Sequence, residues 1–204
     1  LIAVIIFGIL TYAFIHASSE STKCHRDAMP NFDLNQYLKI GPVFVTHKKK
    51  EGNRNFCQIM NTTKYSNGTI VTISGGFKEI SGKTHYSKMY CRVTHKNNKP
   101  GEFLSVCRFV LDTQKRQRRN YNIHTSVIDT DYKNYVILDG CSMNGSTVTD
   151  NILVLKKNKN GDNEKIKKSL QSKGMDLNKF FSRNNEYCER LKNERKKKEE
   201  KKKT

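Results

Sequence analysis

The chain has no tryptophan, only three prolines, and half as many acidic residues as basic ones: 19 Asp and Glu against 38 Lys and Arg in 204 residues. So few prolines, with twelve glycines, exclude collagen-like and proline-rich architectures. Carboxylates are scattered and offer no evident general acid/base pair. CxxC pairs, HExxH, HxxxH and HxH spacings and a Walker-type loop are all missing, which removes the usual zinc, thiol-redox and nucleotide motifs. GxSxG is missing as well; Gly140-Cys141-Ser142-Met143-Asn144 lacks the second glycine. Five dispersed histidines follow the N-terminal segment: His25, His47, His85, His95 and His124. They lack the clustered geometry of metal ligands. An enzyme is not expected, and neither is a metal.

Low hydrophobicity (35%) with a net charge of +19 would ordinarily mean disorder. Here the excess charge is concentrated partly in a tail, and the middle is patterned like strands. The length suits one folded domain with appendages.

Leu1 to Ala17 carries no charged residue and is short for a membrane span, which needs about 20 apolar residues. Small residues offer cleavage between 13 and 19, so residues 1–17 read as a signal peptide. Without an initiator Met or a basic leader, the segment is expected to continue upstream. Six cysteines follow it: Cys24, Cys57, Cys91, Cys107, Cys141 and Cys188. Spacing alone cannot choose among their fifteen pairings. Three sequons begin at Asn61, Asn67 and Asn144. Together these features place the protein outside the cell.

Eight β-type runs are read at Pro42–His47, Phe56–Thr63, Thr69–Ser74, Thr84–Thr94, Glu102–Leu111, Asn120–Asp129, Tyr132–Gly140 and Asn151–Lys156. The links between them are polar, with Gly75-Gly76 taken as one turn. Alternation is clearest from Asn120 to Ile128, where Tyr121, Ile123, Thr125 and Val127 share one face and His124 lies on the other. If the chain folds back around Lys96–Gly101, positions whose numbers sum to 198 face each other. Cys91 then lies opposite Cys107, close enough for a bridge. These runs predict an all-β fold: an eight-stranded antiparallel up-and-down barrel, whose closure removes both sheet edges. Beyond it, Ile166 and Leu170 at i and i+4 between Asp162 and Gly174 predict a helix against the barrel. From Glu189 the chain has nine basic and four acidic residues. This stretch, 189–204, reads as a basic tail, either disordered or a frayed helix.

The run Cys24 to Lys49 resembles the opening of the salivary lipocalins of blood-feeding triatomine bugs, the triabin, pallidipin and nitrophorin group. It does so through Cys24, Met29, Phe32, Tyr37, Gly41, Phe44, Val45, Thr46 and His47. The similarity continues through Phe56-Cys57-Gln58, the Cys91 and Cys107 pair, Tyr132–Cys141 and Ile152–Lys156. It covers residues 20–188, read as one lipocalin domain, and points to the triabin–pallidipin branch. The resemblance implies the bridges Cys24–Cys141 and Cys57–Cys188, with Cys91–Cys107 as the branch's third. It implies a structural role for His47. Two departures stand out. Val43, beside Pro42, replaces the tryptophan that seals the closed end of such barrels. Thr69–Gly76 holds no histidine at the position where nitrophorins ligate haem, so no haem or other cofactor is expected.

Seven residues are candidates for the barrel lining: Phe44, Tyr65, Tyr86, Tyr90, Tyr121, Ile123 and Tyr135. Tyrosines suit a mostly apolar ligand, yet equally well fill a small barrel. If Cys91 faces out, Tyr86 and Tyr90 face in with Lys88 and Arg92, which suits an anionic ligand. If Cys91 faces in, that arrangement is lost. Candidate polyanion contacts are Lys48, Lys49, Lys50, Lys115, Arg116, Arg118, Arg119, Lys196, Lys197 and Lys198. The resemblance implies a secreted, monomeric salivary protein that sequesters a host mediator, an eicosanoid or biogenic amine, and so inhibits platelet aggregation or vasoconstriction. The alternative is a protein- or anionic-surface-binding inhibitor of coagulation acting through basic loops and tail on thrombin, polyphosphate or an anionic membrane. Nucleic acid is not expected as a partner.

Overall fold

The computed structural model describes residues 27–50, 52–95, 99–116, 119–144 and 147–201. The N-terminal segment 1–17 and Cys24 lie outside these. Eight long strands follow a short helix α1 (Leu34–Lys39): β1 (Val43–Lys48), β2 (Phe56–Lys64), β3 (Ile70–Ile80), β4 (Lys83–His95), β5 (Glu102–Asp112), β6 (Tyr121–Thr130), β7 (Tyr135–Asn144) and β8 (Thr147–Lys156). Each is antiparallel to the next, and β1 pairs with both β2 and β8, so the sheet closes into a barrel. After it come α2 (Glu164–Gln171), a two-residue strand β9 (Phe181–Ser182) on β1, and α3 (Asn185–Glu200). The expected barrel with a C-terminal helix is present.

Strand β3 differs from the sequence reading. It runs eleven residues, straight through Gly75 and Gly76. The hairpin turn lies at Ser81 and Gly82, whose φ values of 49° and 73° suit a tight two-residue connection. Gly76 is needed where it stands. At φ 150°, a Cβ there would lie 1.9 Å from the Cys57 carbonyl oxygen. Gly75 has no such restriction, because a Cβ there would meet nothing closer than the Ser87 carbonyl oxygen at 3.4 Å.

Alternation sorts the core into an inside and an outside. Val43, Val45, Phe56, Phe103, Val127, Val136, Leu138 and Leu155 pack within the barrel. Ile137, Ile152 and Val154 point the other way, against Ile166 and Leu170 of α2. The Asp162 carboxylate accepts from the Glu164 amide at the start of α2. Gly174, at φ 70°, stops the chain after that helix. Helix α3 is continuous across residue 189 and is tied to the sheet by the Cys57–Cys188 bridge and by Tyr187, Leu191 and Phe77.

The closed end does not depend on a tryptophan. Val43 is buried, and Phe32, Tyr37, Phe103 and Tyr132 close the end with ring centroids 5.4–6.1 Å apart. The Met29 amide donates to the Val127 carbonyl and the Asp33 amide to the Tyr132 hydroxyl, which holds this segment across the opening. A void of about 10 Å³ remains beside Val43.

Gly76→Ala is expected to cost about 3 kcal/mol, because β2 and β3 must separate beside Cys57. Gly75→Ala is expected to stay within about 1 kcal/mol. Urea unfolding under non-reducing conditions measures both.

Candidate ligand site

The register settles the direction of β4. Cys91 pairs with Cys107, the two form a disulfide with Cα atoms 4.0 Å apart, and both are buried inside the barrel. Cys91 therefore faces in. Met89 and Val93 share its face, and Tyr86, Lys88, Tyr90 and Arg92 lie on the outside.

The inner cavity is small, about 80 Å³. Tyr37 and Phe103 form its floor and Met60, Met89 and Ile123 its apolar walls. Thr62, Thr72, Ser74, Ser105 and Thr125 contribute hydroxyls, two of which, on Thr62 and Thr72, are hydrogen-bonded at 2.8 Å. Burial pushes the Tyr37 phenol above its ordinary range, against a hydrogen bond with Thr62. Among the described residues, none that lines this cavity carries a carboxylate or any other charge.

Above it, Phe109 and Tyr121 face inward and meet edge to face at 5.5 Å. Two cations cap them from the β5–β6 loop. The Arg116 guanidinium lies 4.0 Å from the Phe109 ring and Arg119 5.2 Å from Tyr121. Arg116 also grips Asp112 with two bonds of 2.8 and 3.0 Å, which holds that carboxyl down at about 2. The mouth is thus aromatic and positively charged, over a neutral, hydroxyl-lined interior.

Of the seven candidate lining residues, the barrel brings in Ile123 and Tyr121. The others are corrected. Phe44 lies outside under Arg183, 5.6 Å from its ring. Tyr86 packs at a tilt against Phe77 outside, their ring centroids 4.9 Å apart, and Tyr90 lies outside near Arg108. Tyr135 packs against α2, its hydroxyl donating to Asp129. Tyr65 is exposed at the β2–β3 turn. The four on strands follow from residue parity once one inward position on each strand is known. Aromatic content does not point to Met60, Met89, Thr62, Ser105 or Thr125, and the sequence reading missed them. Inward parity from Cys91 finds Met89, and parity from Ile123 finds Thr125.

The basic candidates also separate. Lys48 is a correction. A bulge between Val45 and His47 turns Lys48 inward, where it is buried over the Phe56 ring at 4.3 Å and has no surface to offer a polyanion. Lys50 pairs with Asp150 at 2.5 Å, and Lys49 is half-buried. Lys115, Arg119, Lys196 and Lys197 are exposed. Arg118 and the Lys198 side chain lie outside the described residues. The disulfides Cys57–Cys188 and Cys91–Cys107 are present; Cys141 is buried on β7, and its expected partner Cys24 lies outside the described residues. Among the described residues no three of His, Cys, Asp and Glu come together as a metal site would require.

The sequence pattern of the family described as Triabin matches residues 16–170. The chain belongs to the Triabin family. It is 32% identical to pallidipin of Meccus pallidipennis over 195 residues, 94% of this chain and 98% of that one. It is 31% identical to platelet inhibitor triplatin-2 of Triatoma infestans, over 92% and 98% of the two chains. The tryptamine complex of the amine-binding protein of Rhodnius prolixus shares the fold, with a TM-score of 0.63 at 18% identity, over 82% of this chain and 93% of that one. As a member of the Triabin family, the chain is not an enzyme.

Asn67 sits exposed in the β2–β3 turn, its side chain accepting from the Thr69 amide at 3.0 Å. Asn61 sits mid-strand with its carbonyl oxygen sealed, and the Asn144 side chain lies outside the described residues. Expressed through a eukaryotic secretory pathway, the protein is expected to carry a glycan on Asn67 and none on Asn61, as peptide mass mapping would show. Separately, burial first, then Lys156 and Arg54, depress His47 from 6.5 to about 4. The unfolded chain then binds the His47 proton more readily than the fold does, so stability falls as pH drops from about 6.5 toward 4. His47→Gln is expected to flatten that part of a melting-temperature profile.

Proposed function

We propose that the protein is secreted in saliva and impairs haemostasis by sequestering an anionic, fatty-acid-derived mediator such as an eicosanoid. One observation carries this reading: a neutral, hydroxyl-lined barrel beneath a mouth capped by arginines. An eicosanoid would place its chain among Met60, Met89 and Ile123, its hydroxyl or ring oxygens near Thr62, Thr72 and Ser105, and its carboxylate near Arg119 and Lys115. A biogenic amine is less well served, because no carboxylate among the described lining residues would meet its ammonium group. Likeness to a platelet inhibitor supports the haemostatic setting.

The free volume of about 80 Å³ is well below the several hundred Å³ usual for such sites. Binding therefore requires the Phe109–Tyr121 pair to swing with its arginines and the methionines to change rotamer. Methionine's unbranched, adaptable side chain suits that change.

A filled barrel equally favours a second reading. Helix α3 presents Lys196 and Lys197 to solvent, and a surface-directed inhibitor of coagulation would need no cavity.

Calorimetry against a stable prostanoid analogue, serotonin and histamine separates these. The prostanoid is expected to bind, Arg119→Ala to weaken it about 5- to 10-fold, and Ile123→Trp to abolish it. Amine binding without prostanoid binding would overturn the choice of ligand. Absence of any small-molecule binding at micromolar concentration, with salt-sensitive prolongation of clotting, would support the second reading.

A further inference from the structure

An open space larger than the inner cavity lies outside the barrel. A groove of about 820 Å³ runs between α3 and the outer faces of β2, β3 and β4, about ten times the volume of the inner cavity. Two features create it. The Cys57–Cys188 bridge holds the start of α3 on the sheet, and Gly75 and Gly76 leave the sheet beneath without side chains.

The floor is apolar. Ile59 and Ile73 flank the glycines, and Ile59 is 39% exposed in the middle of a paired strand. The rim is cationic. Lys192, Arg195 and Lys196 come from α3, and Lys88 comes from β4 on the opposite side. Arg195 leans over Phe77 at 5.6 Å. The acid on this rim, Glu189, is engaged by Lys159 and lies 3.9 Å from Lys192, so the rim keeps a surplus of positive charge.

An occupant must therefore supply an apolar chain along the glycine floor and a head with more than one negative charge between the two sides of the rim. We infer that this groove binds a lysophospholipid with a phosphate-monoester head, of which lysophosphatidic acid is the simplest. Its single acyl chain fits a groove whose volume falls within the usual ligand range. Its phosphate suits several Lys and Arg side chains better than a lone carboxylate would. The site is separate from the barrel and does not rest on the proposed barrel ligand.

The test is native mass spectrometry and fluorescence titration of the full chain with 1-oleoyl lysophosphatidic acid, oleate, glycerol 3-phosphate and lysophosphatidylcholine. One lysophosphatidic acid per chain is expected, with oleate weaker and glycerol 3-phosphate silent. Gly75→Leu places a side chain on the floor where the backbone tolerates a Cβ, and is expected to weaken binding at least about 10-fold with the melting temperature kept. Arg195→Ala with Lys196→Ala is expected to weaken lysophosphatidic acid about 10-fold and to remove its advantage over lysophosphatidylcholine. Ile123→Trp, which fills the barrel, is expected to leave this binding unchanged. Loss of binding in Ile123→Trp, equal affinity in Gly75→Leu, or preference for oleate would each overturn the assignment.

Discussion

A strand has two faces, and in a closed barrel one of them has nowhere to go but inside. That constraint, with the direction of β4 as its pivot, governs most of what this molecule offers to a ligand. The Cys91–Cys107 pair is the point at which it becomes specific. Both sulfurs lie in the interior beside Met89 and Ser105, so every second residue on β4 and β5 is assigned without further choice. Reversing that one direction would put Lys88 and Arg92 in the barrel and the methionine outside. The inner cavity would then be charged. Its neutrality, and hence the kind of head group that must stay at the mouth, comes from the parity of a single strand.

The same constraint explains what was legible in the sequence. The β4–β5 register was readable from the folding-back arithmetic around Lys96–Gly101, because antiparallel pairing obliges opposed positions to keep a constant sum. The facing was not readable, because a cross-strand bridge forms equally well on either side of a sheet. The tyrosines misled for a related reason. Tyr86, Tyr90 and Tyr135 are large and half apolar, which suits a cavity lining, but also suits an outer face covered by Arg195, Arg108 and α2. Gly75-Gly76 misled because a glycine pair signals a turn in most contexts. Here the demand was for close approach to the Cys57 carbonyl, which depends on a strand far enough away that no local pattern contains it.

The missing tryptophan shows the opposite behaviour, a local departure absorbed by its surroundings. Phe32, Tyr37, Phe103 and Tyr132 come from three separate stretches of chain and converge on the closed end. Aromatic clusters of this kind bury large areas with few rotatable bonds, so the end stays shut with only a void of about 10 Å³ beside Val43. The closure of this end is why any entry to the interior must be through the Phe109–Tyr121 mouth.

Charge is distributed by the same geometry. With 38 basic residues against 19 acidic ones, ion pairing can neutralise half of the cations at most. The barrel interior accepts almost none of the remainder; Lys48 enters only at the β1 bulge, where its ammonium meets the Phe56 ring. The surplus is therefore expelled to the loops at the mouth and to α3. Aromatic rings receive part of it, with Arg119 on Tyr121 and Arg195 on Phe77. A guanidinium lying over a ring keeps its charge and most of its donors, so these contacts hold the cations in place without quenching them. The result is two apolar spaces, one inside and one outside, each entered past arginines. A molecule with an alkyl chain and an anionic head matches both by the same physics. What separates them is capacity: a barrel that must open to admit its guest, and a groove already open because two glycines leave its floor bare.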